Sequence, residues 1–283
     1  MSINEEFIMN NIANFELIAV SSNKVYRFKH ENINYILKIN DVSPDDISPF
    51  WLGIREVFAL DFDMQRENIE ETLLMLNNPH IQTAQFITKS HKNKYQIFKE
   101  VEGVSYEPDE FPNDDNIEYQ LGQFIGFIHN KSYDYFGNQK IQFRSGFKEK
   151  MLNVMSEIIR IYWADSQAVK VLFEEIRSSN ISPNSYSLIM PDISANQFIF
   201  NENMTSIKAV VDFDAYVIGP REWELSVIEI CLKNGKAFKR GYEQYNPLPD
   251  INECRNFYRF FMYLCDPWEK QDLVDFINGN KLF

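Results

Sequence analysis

The side chains best suited to chemistry in this chain gather in one short region, at Asp192, Asn196, Gln197, Asp212 and Asp214. Asp192 closes the apolar run Ser187-Leu-Ile-Met-Pro, and Gln197 lies five residues beyond it. Asp212 closes a second run that begins at Ala209-Val-Val. Two short strands that deliver Asp, amide and Asp to one point make a compact set of oxygen donors. Such a set suits a hard divalent cation that holds phosphate. Mg2+ prefers carboxylate and carbonyl oxygens and is completed by water and substrate phosphates. The competing reading is structural: Asp and Asn recur in turns between strands, where they bond the backbone. A lysine, Lys38, interrupts the apolar run Ile33-Asn-Tyr-Ile-Leu-Lys-Ile. It reads as the outward residue of an alternating strand unless the rest of the chain gives it a partner.

The elements that must position these residues follow from patterning. Runs beginning at Phe15, Val25 and Ile33 are rich in β-branched and aromatic residues and are separated by Ser-Ser-Asn-Lys and His-Glu-Asn, which predicts three strands. Residues 41–50 are polar with two prolines and read as a loop. From Trp51 to about Asn77 the spacing predicts a helix closed by Asn77-Asn78-Pro79. Residues 81–87 and 95–101 predict two further strands, and the Pro-, Asp- and Asn-rich stretch after Gly103 reads as a hinge. Helices are expected over 117–130, 147–162, 168–178, 222–245 and 252–265, interrupted by a small two-strand insertion at 187–214. The order predicts a bilobal α+β plan with a cleft between lobes over 1–102 and 103–283.

Composition narrows the partners. The chain has 283 residues, 45% of them hydrophobic and 15% aromatic, as expected of a folded globular protein. Its net charge of −13, from 28 basic and 41 acidic residues, disfavours nucleic acid or an anionic membrane as the main partner. An acidic surface serves either a cationic substrate or solubility alone. Cys231, Cys254 and Cys265 fall in no metal-ligand spacing and read as reduced thiols. The N-terminus has no basic segment followed by an apolar run, and no apolar stretch approaches a membrane span. A soluble, cytoplasmic protein is expected.

The succession of features resembles a known family. Lys38 in a third strand, an acidic helix, a strand ending at a Gly hinge, the helix ending in Ile128-His129, the Asp192 loop, and Val211-Asp212-Phe-Asp followed by Gly219-Pro-Arg-Glu-Trp-Glu224-Leu look like the aminoglycoside phosphotransferase group. These are small-molecule kinases with a protein-kinase-like fold. The resemblance implies ATP and Mg2+ as cofactors and phosphoryl transfer to a hydroxyl of a small molecule, with cationic acceptors among the candidates. It implies that Lys38 contacts the α- and β-phosphates, paired with an acid on the next helix. Glu70 is the first choice for that acid, ahead of Glu71 and Glu56. Phe98–Val101 would present backbone to the adenine edge, Asp192 would be the catalytic carboxylate, and Asp212 would hold Mg2+ with Gln197 and Asp214 as further ligands.

The chain also departs from the family. The usual His-Gly-Asp is Met190-Pro191-Asp192, the usual Asn five residues on is Gln197, and the nucleotide loop Ser21-Ser22-Asn23-Lys24 has no glycine. Backbone approach to phosphate is then harder, which leaves side chains such as Ser22 to bond it. These departures motivate an alternative: a catalytically silent kinase-like protein that binds nucleotide or a small ligand as a sensor or partner. Transfer of a phosphoryl or nucleotidyl group to a protein is a third possibility. Acids at 222, 224, 229, 243 and 250 read either as a cationic pocket or as solvated helix faces, and Trp163, Trp223 and Trp268 as caps for a cation or as packing.

Overall fold

The computed structural model describes residues 3–40, 48–108, 110–183, 185–266 and 272–283. A short helix α1 (Glu5–Asn11) precedes strands β1 (Glu16–Val20), β2 (Lys24–His30) and β3 (Ile33–Ile39). Glu31 and Asn32, at φ 48° and 64°, form the β2–β3 turn. Two left-handed residues give a hairpin the twist its strands need. Two helices follow, α2 (Pro49–Phe58) and α3 (Phe62–Leu76), then β4 (Gln82–Thr83), β5 (Phe86–Ser90) and β6 (Tyr95–Lys99). The first sheet runs β1-β2-β3-β6-β5 with every neighbour antiparallel. Alternation divides its faces. Phe28, Leu37, Tyr95 and Ile97 form a small core with Ile8 of α1, while Lys38 and Gln96, paired in register, lie on the other face.

The single helix expected from Trp51 to Asn77 is two. Ser48 caps α2 with Pro49 in its first turn, Ala59 ends it in the left-handed conformation, and the Asp61 side chain caps α3 by accepting from Met64 N. The polar cap inside an otherwise helical stretch restarts the helix and resets its phase. The face of α3 that is buried carries Gln65, Arg66, Asn68, Ile69, Thr72 and Leu76.

The rest of the chain is mainly helical. It comprises β7 (Val104–Ser105), α4 (Asp115–His129), β8 (Phe136–Gly137), β9 (Gln142–Phe143), α5 (Phe147–Tyr162), α6 (Gln167–Ile176), β10 (Ser187–Ile189), β11 (Phe198–Phe200), β12 (Ile207–Val210), β13 (Val217–Gly219), α7 (Arg221–Cys231), α8 (Lys236–Tyr242), α9 (Arg255–Cys265) and α10 (Leu273–Ile277). The strands between Ser187 and Gly219 do not pair only with one another. They belong to two four-stranded sheets, β10-β13-β8-β9 and β4-β12-β11-β7, because short partners arrive from distant segments. The helix expected over 222–245 is broken by Gly235, at φ 71°, into α7 and α8. Buried side chains of α2 and α3, including Trp51, Ile54, Phe58 and Ile69, share one large core with those of α4, α5, α7 and α9. The fold is bilobal, α+β and protein-kinase-like: an N-terminal antiparallel sheet against a mainly helical C-terminal region.

Two features fasten the helical part. Helices α4 and α8 meet through glycines: a methyl group at Gly122 would lie 2.1 Å from the Phe238 carbonyl oxygen, and one at Gly241 2.2 Å from that of Tyr119. Glu229 on α7, fully buried, accepts from Arg255 Nε at 2.6 Å and Arg259 Nη2 at 2.9 Å, and also from the backbone N–H of Leu282 and Phe283.

Candidate active site

The Asp192 loop is pinned from beneath. Glu224 Oε1 accepts from Met190 N at 3.0 Å, and its Oε2 lies 2.6 Å from His129 Nε2. His129 Nδ1 lies 3.1 Å from the Tyr242 hydroxyl, and Trp223 Nε1 donates to the Pro191 carbonyl at 3.1 Å. Both members of the His129–Glu224 pair are fully buried. Within the loop, Ser194 N donates to Gln197 Oε1 at 3.2 Å and Gln197 Nε2 to the Asp192 carbonyl at 3.0 Å. This reciprocal capping sets the turn that presents Asp192. Oδ1 of Asp192 is buried and bonds nothing among the described residues. Burial first, and then the charges of Asp212 and Asp214, push its carboxyl up to about 7.

A second loop leaves β12 beside the first, with Val211 N donating to the Gln197 carbonyl at 3.0 Å. Asp214 N donates to Asp212 Oδ1 at 3.1 Å, which turns both carboxylates toward the sheet. There Lys38 Nζ lies 2.9 Å from Asp212 Oδ1 and 3.4 Å from Asp214 Oδ2. Burial alone lowers the pKa of Lys38, but the two carboxylates outweigh it and hold the ammonium charged. Burial also lifts Asp212, and the adjacent ammonium more than reverses that, leaving it below the usual carboxylate range. Asp214 stays above that range, because burial and the Asp212 charge exceed the help from Lys38. From the sheet side the Asn23 amide donates to Asp214 Oδ2. Its loop is closed by Ser21 N to the Asn23 carbonyl at 2.9 Å and by Asn40 Nδ2 to the Ser22 carbonyl at 2.8 Å.

The structure thus brings Lys38, Asp212 and Asp214 into direct contact, with Asp192 within reach of both carboxylate charges. Other expected residues stand elsewhere. Glu70 does not pair with Lys38; it is exposed and bonds Lys89 at 2.8 Å. Glu71 is exposed, and Glu56 pairs with its neighbour Arg55 at 3.2 Å. Facing the Lys38 side of the sheet is Gln65, which exchanges hydrogen bonds of 3.1 and 3.4 Å with Gln96. Glu70 follows Gln65 by five positions, about 140° around the helix, and so points to solvent. The Gln197 amide is committed within its own loop. Ser22 is half-buried, with its carbonyl held by Asn40. The Phe98 ring is buried against Phe213 at 5.4 Å and Phe86 at 5.7 Å, and half-buried Val101 follows the strand. Only the backbone of this segment is left to face a base.

The acids of the C-terminal helices are not one group. Glu224 and Glu229 are buried in the networks above, and Trp223 is fully buried, so none of them is a solvated face or a cation cap. Trp163 Nε1 donates to the Leu264 carbonyl at 3.1 Å, and Trp268 lies outside the described residues. Glu222 and Asp250, with Glu253 and Tyr258, line a cavity of about 340 Å³. It adjoins the start of β10, where Ser187 pairs with Gly219, the end of the strand away from Asp192. Sequence reading also missed Asn23 as a contact to Asp214; its place in a glycine-free loop was the available signal.

No family model matches the chain, and no curated protein matches it in sequence. Solved structures do match in fold. The macrolide 2'-phosphotransferase MphH from Brachybacterium faecium superposes with a TM-score of 0.57 at 12% identity, covering 98% of this chain and 99% of its own. The choline kinase LicA from Streptococcus pneumoniae gives 0.58 at 14%, covering 96% and 94%. The ADP-bound aminoglycoside phosphotransferase APH(2'')-Ib gives 0.57 at 13%, covering 98% and 97%. The chain has the fold of the small-molecule phosphotransferases over nearly its whole length. No helix among the described residues is long and apolar enough to cross a membrane.

The donor set suits Mg2+. Asp212 and Asp214 already converge on one cation, the Lys38 ammonium, which occupies the place between their oxygens. Mg2+ needs only one or two protein carboxylates when water and phosphate complete its shell.

Proposed function

We propose that this protein is an ATP- and Mg2+-dependent phosphotransferase that moves the γ-phosphoryl group to a hydroxyl of a small molecule. The observation that carries the reading is the junction of Lys38, Asp212 and Asp214 beside the Asp192 loop. In this reading residues 1–102 carry the nucleotide and 103–283 the acceptor. Asp212 and Asp214 would hold Mg2+, which neutralises phosphate charge when bound. Lys38, released from the carboxylates, binds phosphate oxygens through its ammonium. The backbone of Phe98–Val101 meets the adenine edge, and Ser22 lies in the loop above the phosphates. Asp192 orients the acceptor hydroxyl and takes its proton at the unpartnered Oδ1. Positioning and charge neutralisation supply most of the rate, since phosphoryl transfer asks little covalent chemistry of the protein. The acidic surface favours a cationic acceptor over an anionic one.

Two variants test the assignment. Asp192→Ala is expected to lose ATP-dependent turnover while keeping Mg-ATP binding, and Asp212→Ala to lose Mg-ATP binding. Wild-type ATP consumption in both variants would remove the assignment. A second reading, a silent nucleotide-binding protein, draws support from the Asn23–Asp214 contact and the committed amide of Gln197. A thermal shift with Mg-ATP, followed by a broad acceptor panel, separates the readings: binding without turnover on any acceptor favours the silent protein.

A further inference from the structure

Arg66 is a buried charge that the site described so far does not use. It sits on the inner face of α3, directly after Gln65, whose amide bonds Gln96 opposite Lys38. Its side chain is 3% exposed. One nitrogen, Nη2, donates to the exposed carboxylate of Asp63. Nε and Nη1 are buried and bond nothing among the described residues. A buried ionic donor left unbonded is costly, because it has lost water without gaining a partner. Burial lowers the pKa of Arg66, outweighing the negative charges of Asp61 and then Asp214 that act on this guanidinium.

The surrounding site offers few phosphate donors. Lys38 is the one cation that the proposed function brings to phosphate, and the Asn23 amide is given to Asp214. The loop above has no glycine to let its backbone N–H groups approach phosphate closely. A guanidinium with two unbonded nitrogens supplies what is missing. Its N–H donors are always charged and fixed in one plane, so they bond phosphate oxygens with more directionality than an ammonium does.

We propose that Arg66 is a phosphate-binding residue: its unbonded Nε and Nη1 donate to phosphate oxygens of the nucleoside triphosphate, in the absence of an acid on α3 facing Lys38. The proposal rests on the phosphotransferase reading. Arg66 makes no covalent bond and moves no proton.

Calorimetric titration of wild type, Arg66→Met and Arg66→Lys with Mg-ATP and with adenosine tests this. Arg66→Met is expected to weaken Mg-ATP by about 10- to 100-fold, the range of charge-assisted hydrogen bonds, while adenosine affinity stays within about threefold. Arg66→Lys is expected to fall between the two, since it keeps charge but loses the fixed planar donors. Tripolyphosphate, a ligand without a base, is expected to raise the melting temperature of wild type and not of Arg66→Met. Equal losses for ATP and adenosine, or unchanged ATP affinity in Arg66→Met, overturn the proposal and leave the phosphotransferase reading standing. A wild type that binds no Mg-ATP overturns both. Should the variants not fold, a structure of wild type with a non-hydrolysable ATP analogue decides: Arg66 bonded to no phosphate oxygen overturns the proposal.

Discussion

Asp192 is held in an environment that resists its charge, and this has a measurable sign. In the unfolded chain its carboxyl titrates near 3.8, whereas burial and the neighbouring carboxylates lift it to about 7 in the folded protein. The folded state therefore holds the proton more tightly. The stability this group contributes is fully present below about pH 3.8 and is lost as pH rises through about 7. Asp192→Asn removes the charge and keeps the shape. In magnesium-free buffer it is expected to stabilise the protein more at pH 8 than at pH 5, by a difference on the order of 2 kcal/mol. Urea melts at the two pH values measure it, and an equal gain at both would show that the carboxylate is not destabilised. At this scale much of the site was legible. Asp192, Asp212, Asp214 and Lys38 each end or interrupt an apolar run, so each announces itself in a linear pattern. Glu70 was misplaced because its role depends on helix phase. Each residue of miscounting turns a side chain through about 100°, and the Asp61 cap that resets the phase lies inside the expected helix.

Among elements, the seam between α4 and α8 depends on residues chosen for what they lack. Alanine usually stabilises a helix interior relative to glycine. At Gly122 the added methyl would press on the Phe238 carbonyl at 2.1 Å, which is backbone and cannot swing aside. Gly122→Ala is expected to cost about 1–3 kcal/mol, as overpacking does. A lowered urea midpoint with an unchanged slope would confirm it, and a neutral or raised midpoint would refute it. Helix α4 was readable from its apolar spacing, and α8 only as part of one longer helix over 222–245; the glycine seam was not readable, because a missing side chain leaves no periodic mark. The small sheets were hidden for a related reason. Strands as short as Gln82–Thr83 and Val104–Ser105 carry too few residues to show alternation, and their partners are distant in sequence.

The whole molecule was legible mainly through order. A lysine-bearing sheet, a hinge, a helical region and two acidic loops arrive in one succession, and that succession maps onto the fold although no single segment is diagnostic. What order could not reveal is how the sheet and the acidic loops are fastened together. Lys38, on β3, reaches across to both Asp212 and Asp214. Under the proposed function the ammonium would compete with Mg2+ for the same oxygens, and nucleotide phosphate would draw it off. Calorimetry with Mg2+ alone and with ADP present is expected to show metal affinity raised at least about fivefold by the nucleotide, within the usual range of coupling between sites. Identical affinities would mean that Lys38 does not guard the carboxylates. Reciprocity then applies: whatever factor ADP lends the metal, the metal must return to ADP. The lysine would make the protein its own antagonist, a lock that neither key alone turns far and both together open.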